Sequence, residues 1–314
     1  MRSSTRPTRR NKPLIFIFGP TASGKTALVE RLFSTGYQIV NADSVQVYRY
    51  LDIGSAKPSS ELMEKIPHHL VNILEPWQQF TAGMFVQLAD EAVDRIYSLG
   101  DIPVLTGGTA FYFKNFLYGL SRAPECDPEI RAQVAAELKK KGAQALHRQL
   151  GEVDPASAQR INVHDTYRIT RALEVYYQSG RPLSSFALPS EPRFGMKPLI
   201  LNLVRDRQEL HHRIEMRVEQ MFDQGLADEI RQLKRMKAGS SWPALVAIGY
   251  SEFFRAFDNG CADISTIKAD IIRNTKQYAK RQMTFFRSFA DAVDVNPDDT
   301  AALEAVLKDY LEKF

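Results

Sequence analysis

Residues 19–26, Gly-Pro-Thr-Ala-Ser-Gly-Lys-Thr, follow the apolar run Leu14-Ile15-Phe16-Ile17-Phe18 and lead into Ala27-Leu28-Val29. That order is a strand, a glycine turn and a helix start, the signature of a phosphate-binding P-loop. Gly19 and Gly24 free the backbone to curl across Pro20, Thr21, Ala22 and Ser23, so that successive N–H groups and the helix N-terminus converge on an anion. Lys25 then neutralises the anion, and the Thr26 hydroxyl can hold Mg²⁺. Few other local patterns commit a chain so firmly to one architecture.

The loop leaves the phosphate compound open. ATP or GTP would make the chain a kinase or NTPase, and such enzymes usually carry an acid after a hydrophobic strand to hold Mg²⁺. The best candidate strand here, residues 102–106, ends instead in Gly107-Gly108-Thr109, which counts against a motor or GTPase. A small-molecule kinase stays open, because Asp43 ends another strand, residues 38–42.

From residue 13 to about 118 short apolar strands alternate with amphipathic helices, the pattern of a parallel sheet covered on both faces. Strands are expected over residues 14–18, 38–42, 69–73 and 102–106, and again over 197–204. Ligands in such sheets gather at the carboxyl ends of the strands, where Gly19, Asp43 and Gly107 all fall. Between about residues 121 and 195 the texture becomes helical, with helices expected over 128–141, 143–150, 155–160 and 164–178. Pro and Gly cluster at both margins. The expected fold is therefore α/β, a P-loop NTPase-like parallel sheet core with an inserted all-helical subdomain. Its parts are a basic disordered tail (1–12), a core (13–120 plus 196–290), the insert (121–195) and a C-terminal helix (291–314).

With 314 residues, 44% of them hydrophobic and 25% charged, the chain has the composition of an ordinary globular protein with a sizeable core. No apolar run approaches the roughly 20 residues that span a membrane, so a cytoplasmic protein is expected. Cys126 and Cys261 are far apart without metal-ligand spacing, which fits free thiols in a reducing compartment. A net charge of +4 does not by itself point to nucleic acid. Its distribution says more. Arg273, Lys276, Lys280 and Arg287 recur on helical spacing, with Tyr278, Phe285, Phe286 and Phe289 on other faces, and Arg160, Arg168 and Arg171 cluster in the insert. A solvated face explains each stretch alone, while two basic elements flanking a phosphate crevice suggest a nucleic-acid backbone track. Beside the loop, Asp43-Ser44-Val45-Gln46 sets a carboxylate, a hydroxyl and an amide after a strand, where they can read and deprotonate a substrate. An Asp at a turn is more often a local cap, and only its neighbourhood favours chemistry here. A noncatalytic, nucleotide-gated RNA-binding module is a third possibility.

Several motifs together narrow the choice. The loop at 19–26, Asp-Ser-Val-Gln-Val-Tyr at 43–48, Asp-Ile-Gly-Ser-Ala-Lys-Pro at 52–58, Pro-His-His-Leu at 67–70, Gly-Gly-Thr-Ala-Phe-Tyr at 107–112, Arg-Ala-Leu-Glu-Val-Tyr at 171–176, Ile-Gly-Tyr at 248–250 and Thr-Lys-Gln-Tyr-Ala-Lys-Arg-Gln at 275–282 closely resemble the tRNA dimethylallyltransferase (tRNA isopentenyltransferase) family. That resemblance implies transfer of a dimethylallyl group from dimethylallyl diphosphate to N6 of the adenosine 3′ of the anticodon, with release of pyrophosphate. The loop, commonly labelled nucleotide- or ATP-binding, would hold the diphosphate. Lys25, Thr26 with Mg²⁺, and Arg217 would stabilise the leaving group, Asp43 would take the N6 proton, and Thr109 would orient the reacting centre. The tRNA anticodon stem-loop would meet Asp43, Ser44, Val45, Gln46, Thr109, Arg131, Tyr167, Arg168, Ile169, Thr170, Arg171, Val246, Ala247, Ile248, Gly249, Tyr250, Ser251, Thr275, Lys276, Gln277, Tyr278, Ala279, Lys280, Arg281 and Gln282. The insert would clamp the stem-loop, and the working form would be a monomer. The chain departs from the family pattern at Lys276, where many members carry Arg, and at residues 80–85, which lack an acid.

Overall fold

The computed structural model describes residues 9–186, 189–239, 241–258, 260 and 263–314. Six strands form one wholly parallel sheet: β1 (Ile15–Phe18), β2 (Tyr37–Asn41), β3 (His68–His69), β4 (Ile102–Gly107), β5 (Leu199–Leu203) and β6 (Ala292–Val295), in the order β3-β2-β4-β1-β5-β6. β1 lies between β4 and β5, with Phe18 opposite Gly107 on one side and Asn202 on the other. The loop after β1 thus opens where connections leave toward both edges, the usual place for a ligand crevice.

Alternation along β1 builds both layers. Ile15 and Ile17 join Leu28, Val29, Ile39, Val104, Leu201 and Leu303 beneath helices Lys25–Leu32 and Thr300–Leu311. Phe16 and Phe18 face the other way into an aromatic layer, where Phe18 stacks on Phe286 with ring centroids 4.2 Å apart and meets Phe113 edge-on at 5.4 Å. Phe286 ends the 23-residue helix Ile264–Phe286, so this stacking ties the basic helix to the P-loop strand.

The described chain divides into two units, residues 1–117 with 192–314, and residues 118–191. The smaller unit holds helices Pro128–Lys141, Ala143–Val153, Pro155–Arg160 and Thr166–Ser179 around its own core of Val134, Leu146, Leu150, Ile169 and Leu173. Asp165 caps the last of these by accepting from Arg168 N.

Three expectations need correction. The strand expected over 69–73 stops at His69, because Leu70 and Asn72 take positive φ (64° and 55°), which no strand continues through. The C-terminal helix expected from 291 begins only at Thr300, since Ala292–Val295 adds β6 to the sheet edge beside β5. The tail expected to be disordered through residue 12 is anchored at Arg9, whose side chain is buried. Its Nη1 donates to Asp90 at 2.8 Å and its Nη2 to Asp94 at 2.7 Å. Residues 1–8 of that tail, and Cys261, lie outside the described residues.

Candidate active site

The phosphate loop is built by close packing. A Cβ on Gly19 would stand 2.9 Å from Leu203 Cβ and 2.8 Å from Ser23 Oγ, and Gly24 enters helix Lys25–Leu32 at φ 105°. Lys25 folds back so that Nζ donates to the carbonyls of Gly19 and Pro20, both at 2.9 Å. Burial lowers its pKa to about 7, the nearby Arg217 adding to the effect and Asp43 opposing it. Arg217, on helix Arg207–Asp223, is itself shifted down by burial, again against Asp43. Among the described residues its guanidinium has no hydrogen-bond partner. Two cations held this close in a half-buried site favour a polyanion between them.

Two further arginines brace the loop. Arg213 Nε donates to Ala22 O at 3.0 Å, and Arg205 Nε donates to Ser23 O at 2.8 Å while its Nη atoms hold Asp298, each at 2.7 Å. The sequence reading missed both. Arg213 and Arg217 are one helical turn apart on the same helix, and that i,i+4 spacing was the available signal.

Opposite the loop, Asp43 does two things at once. Its Oδ1 accepts from Val45 N at 2.9 Å and Gln46 N at 3.4 Å, the local turn that an Asp often makes. Its Oδ2 makes no hydrogen bond among the described residues and faces Gly108, 3.4 Å from where a Cβ there would stand. Thr109 backs this turn: its N–H donates to Ala42 O at 3.1 Å, and its Oγ1 accepts from Ser44 N at 3.0 Å. Gly107 is required here, since a Cβ would fall 2.2 Å from Ala42 O. Tyr278 donates to Gly108 O at 3.3 Å, and burial together with Asp43 raises its pKa.

These elements enclose a cavity of about 1020 Å³. Thr21, Ala22, Gly24, Lys25, Thr26, Asp43, Ser44, Val45, Gln46, Arg217, Val246, Ala247, Ile248, Gly249, Thr275, Tyr278, Arg281 and Gln282 all line it. Gly19, Pro20 and Ser23 shape the loop from outside the lining, and Thr109 stands behind Ser44. Tyr250, expected against tRNA, is fully buried and donates to Glu229 at 2.7 Å, so its side chain supports the wall from behind. Ala279 is packed in the core, while Lys276 reaches Glu215 at 2.5 Å. Ser251, Gln277 and Lys280 are not on the lining. In the smaller unit Ile169 is a core residue, which removes its side chain from any ligand surface. Tyr167 is 79% exposed there, Arg168 pairs with Asp165, Thr170 donates to Tyr167 O at 3.0 Å, and Arg171 donates to Pro124 O at 2.9 Å. Arg131 sits on helix Pro128–Lys141.

For a divalent cation the cavity offers the Thr26 hydroxyl and the Asp43 carboxylate, and no group of three or more acidic, His or Cys side chains among the described residues could hold a metal. Such a donor set suits Mg²⁺ bound chiefly through substrate phosphates and water, and it does not suit an all-protein cage.

The same residues connect the chain to known proteins. Residues 46–289 match the IPP transferase family and residues 12–75 match isopentenyl transferase. A tRNA dimethylallyltransferase of Geobacter sulfurreducens is 43% identical over 278 residues, covering 87% of this chain and 88% of that protein. The chain belongs to the tRNA dimethylallyltransferase family. The enzyme of that name from Xanthomonas campestris is 41% identical and covers 96% of this chain and 95% of its own length. Among solved structures, the full-length tRNA isopentenylpyrophosphate transferase of Bacillus halodurans is 31% identical, with a TM-score of 0.65 over 96% of this chain and 95% of that one. A eukaryotic dimethylallyltransferase acting on tRNA, 24% identical, shares the fold with a TM-score of 0.78 over 96% of this chain and 80% of that one. Membership of this family makes the chain a prenyl-transferring enzyme and removes the grounds for the kinase and binding-module readings. No helix among the described residues is long and apolar enough to cross a membrane.

Proposed function

We propose that this enzyme transfers the dimethylallyl group of dimethylallyl diphosphate to N6 of the adenosine immediately 3′ of the anticodon, releasing pyrophosphate. One observation carries the reading: the Lys25 and Arg217 cations and the Asp43 carboxylate converge on a single cavity. In the reaction the allylic C–O bond of the donor breaks, its electron pair leaves with the diphosphate, and N6 forms the new bond to carbon. Lys25 and Arg217, with the loop N–H groups, stabilise the charge growing on the leaving group. Asp43 Oδ2 takes the N6 proton, and Oδ1 keeps the turn in place meanwhile. Thr109 holds that turn through Ser44 and so sets where the amine meets the donor.

Thr26 would hold Mg²⁺, bound otherwise through the diphosphate and water, and the ion when bound would supply further charge neutralisation on the diphosphate. The target adenine cannot react while stacked and must turn out into the cavity. Arg281, Val246 and Gly249 on the lining, with Arg131, Tyr167 and Arg168 in the helical unit, are the proposed contacts to the stem-loop. A tRNA substrate suits a cytoplasmic enzyme, and the working form is proposed to be a monomer.

The test is incubation with tRNA and dimethylallyl diphosphate in the absence of ATP, followed by nucleoside analysis of the digested tRNA. Prenylated adenosine is expected. Its absence, with ATP turnover instead, would return the chain to small-molecule phosphoryl transfer.

A further inference from the structure

Glu229, on helix Leu226–Arg235, is a buried carboxylate that no step of the proposed reaction uses. Both of its oxygens are saturated. Oε2 accepts from Asp52 N at 2.8 Å and Ile53 N at 2.7 Å, and Oε1 accepts from Gly54 N at 3.1 Å and the Tyr250 hydroxyl at 2.7 Å. Tyr250 in turn packs so closely on Gly54 that a Cβ there would come within 2.6 Å of its ring. One carboxylate thus fixes the start of the loop whose next residues, Ser55 and Ala56, line the cavity.

That loop sets the orientation of Gln46. Its Nε2 donates to Ser55 O at 3.2 Å and Ala56 O at 3.1 Å. Two carbonyls can only accept, so the amide nitrogen must face them and Oε1 must face away. Among the described residues nothing donates to that oxygen, and Gln46 lines the cavity. Resting on the prenyl-transfer reading above, we infer that Glu229 is a positioning residue for base selection, fixing Gln46 so that it offers a hydrogen-bond acceptor to the extruded base. An acceptor at that place suits the exocyclic amine of adenine and repels a 6-oxo purine, which presents an acceptor of its own.

The experiment measures binding of two anticodon stem-loops that differ only in adenosine or inosine at the target position. The wild-type enzyme is expected to prefer the adenosine loop by about tenfold or more. Glu229→Gln keeps the size but sets an amide N–H₂ against backbone N–H groups, and should bring the ratio to within about threefold while leaving pyrophosphate affinity unchanged. Gln46→Ala should do the same, and the double variant should go no further, because both changes remove one device. A ratio unchanged in Glu229→Gln, or effects that multiply in the double variant, would overturn the inference. Should Glu229→Gln fail to fold, Tyr250→Phe, which removes one of the four donors, is decided by the same ratio. A wild-type enzyme that prenylates no tRNA would instead defeat the functional reading itself.

Discussion

Gln282 donates through Nε2 to the carbonyl of Gly108 at 2.6 Å, joining the basic helix to the turn that follows β4. The other end of the same amide accepts from Thr21 N at 2.9 Å, inside the phosphate loop. One side chain therefore links the P-loop to the turn faced by Asp43. It also explains Gly108, where a Cβ would stand 2.7 Å from Gln282 Nε2.

Replacing Gln282 by Ala leaves the N–H of Thr21 without its partner and the carbonyl of Gly108 with only the longer bond from Tyr278, at a cost of about 1–3 kcal/mol where the Thr21 N–H stays dry. A lower unfolding midpoint and weaker turnover are expected together, since the loop and the turn would no longer share a strut. Thermal melts and steady-state kinetics on the same preparation check this. An unchanged midpoint would mean that water replaces the amide.

Asp43 combines a turn with a proposed proton acceptor, and Asp43→Asn separates them. An Asn oxygen can still accept from Val45 N, so the fold and tRNA affinity should hold to within about tenfold. Turnover should fall by roughly 10²-fold or more, the usual loss for a positioned base. Rapid-quench measurement of the chemical step decides the matter, and near-normal turnover would remove Asp43 from proton transfer.

The parts of this molecule that were legible in the sequence are those whose cause is local. Glycines at 19 and 24 with Lys25 after an apolar run require a strand, a loop and a helix in that order, and the chain forms them. β6 was not legible because four residues on a sheet edge, half of them exposed, carry too little hydrophobic pattern. Arg9 read as tail because its partner Asp90 lies 81 positions away, and only the fold brings the two together. Glu229 was passed over for the same reason, being 177 positions from Asp52. Asp43 was legible as a candidate, but the split between its two oxygens needed the geometry of the turn.

If Lys25 holds the diphosphate as proposed, donor binding depends on pH. Its pKa of about 7 in the folded chain compares with 10.5 for an unperturbed lysine, and a diphosphate needs the protonated form. Pyrophosphate affinity should therefore fall as pH rises above about 7, by up to about tenfold per unit. At pH 8 binding should take up protons, seen by calorimetry in buffers of different ionisation enthalpy. Lys25→Met should abolish the uptake and the donor affinity while sparing tRNA binding. For folding the sign is opposite: between pH 7 and 10.5 the unfolded chain holds this proton more tightly, so the group's contribution to stability rises with pH across that window.

Salt dependence separates phosphate contacts from structural arginines. Arg168 has a largely exposed side chain held only by Asp165, its own helix cap, and Arg281 lines the cavity beside the Tyr278 ring. Lys280 has no ion-pair partner among the described residues. An Ala change at any of the three should weaken tRNA binding and flatten the slope of log affinity against log salt by roughly one unit, somewhat less where the strand is single. The Michaelis constant for the donor should barely move. Arg171 belongs to a different class, because it donates to Pro124 O at 2.9 Å and lies near Glu174 at 3.7 Å within the helical unit. Arg171→Ala should lower the unfolding midpoint and leave the salt slope close to that of the wild type. A flattened slope at Arg171 with no loss of stability would make it a phosphate contact, and the reverse pattern at Arg168 would leave the helix Thr166–Ser179 with a structural role alone.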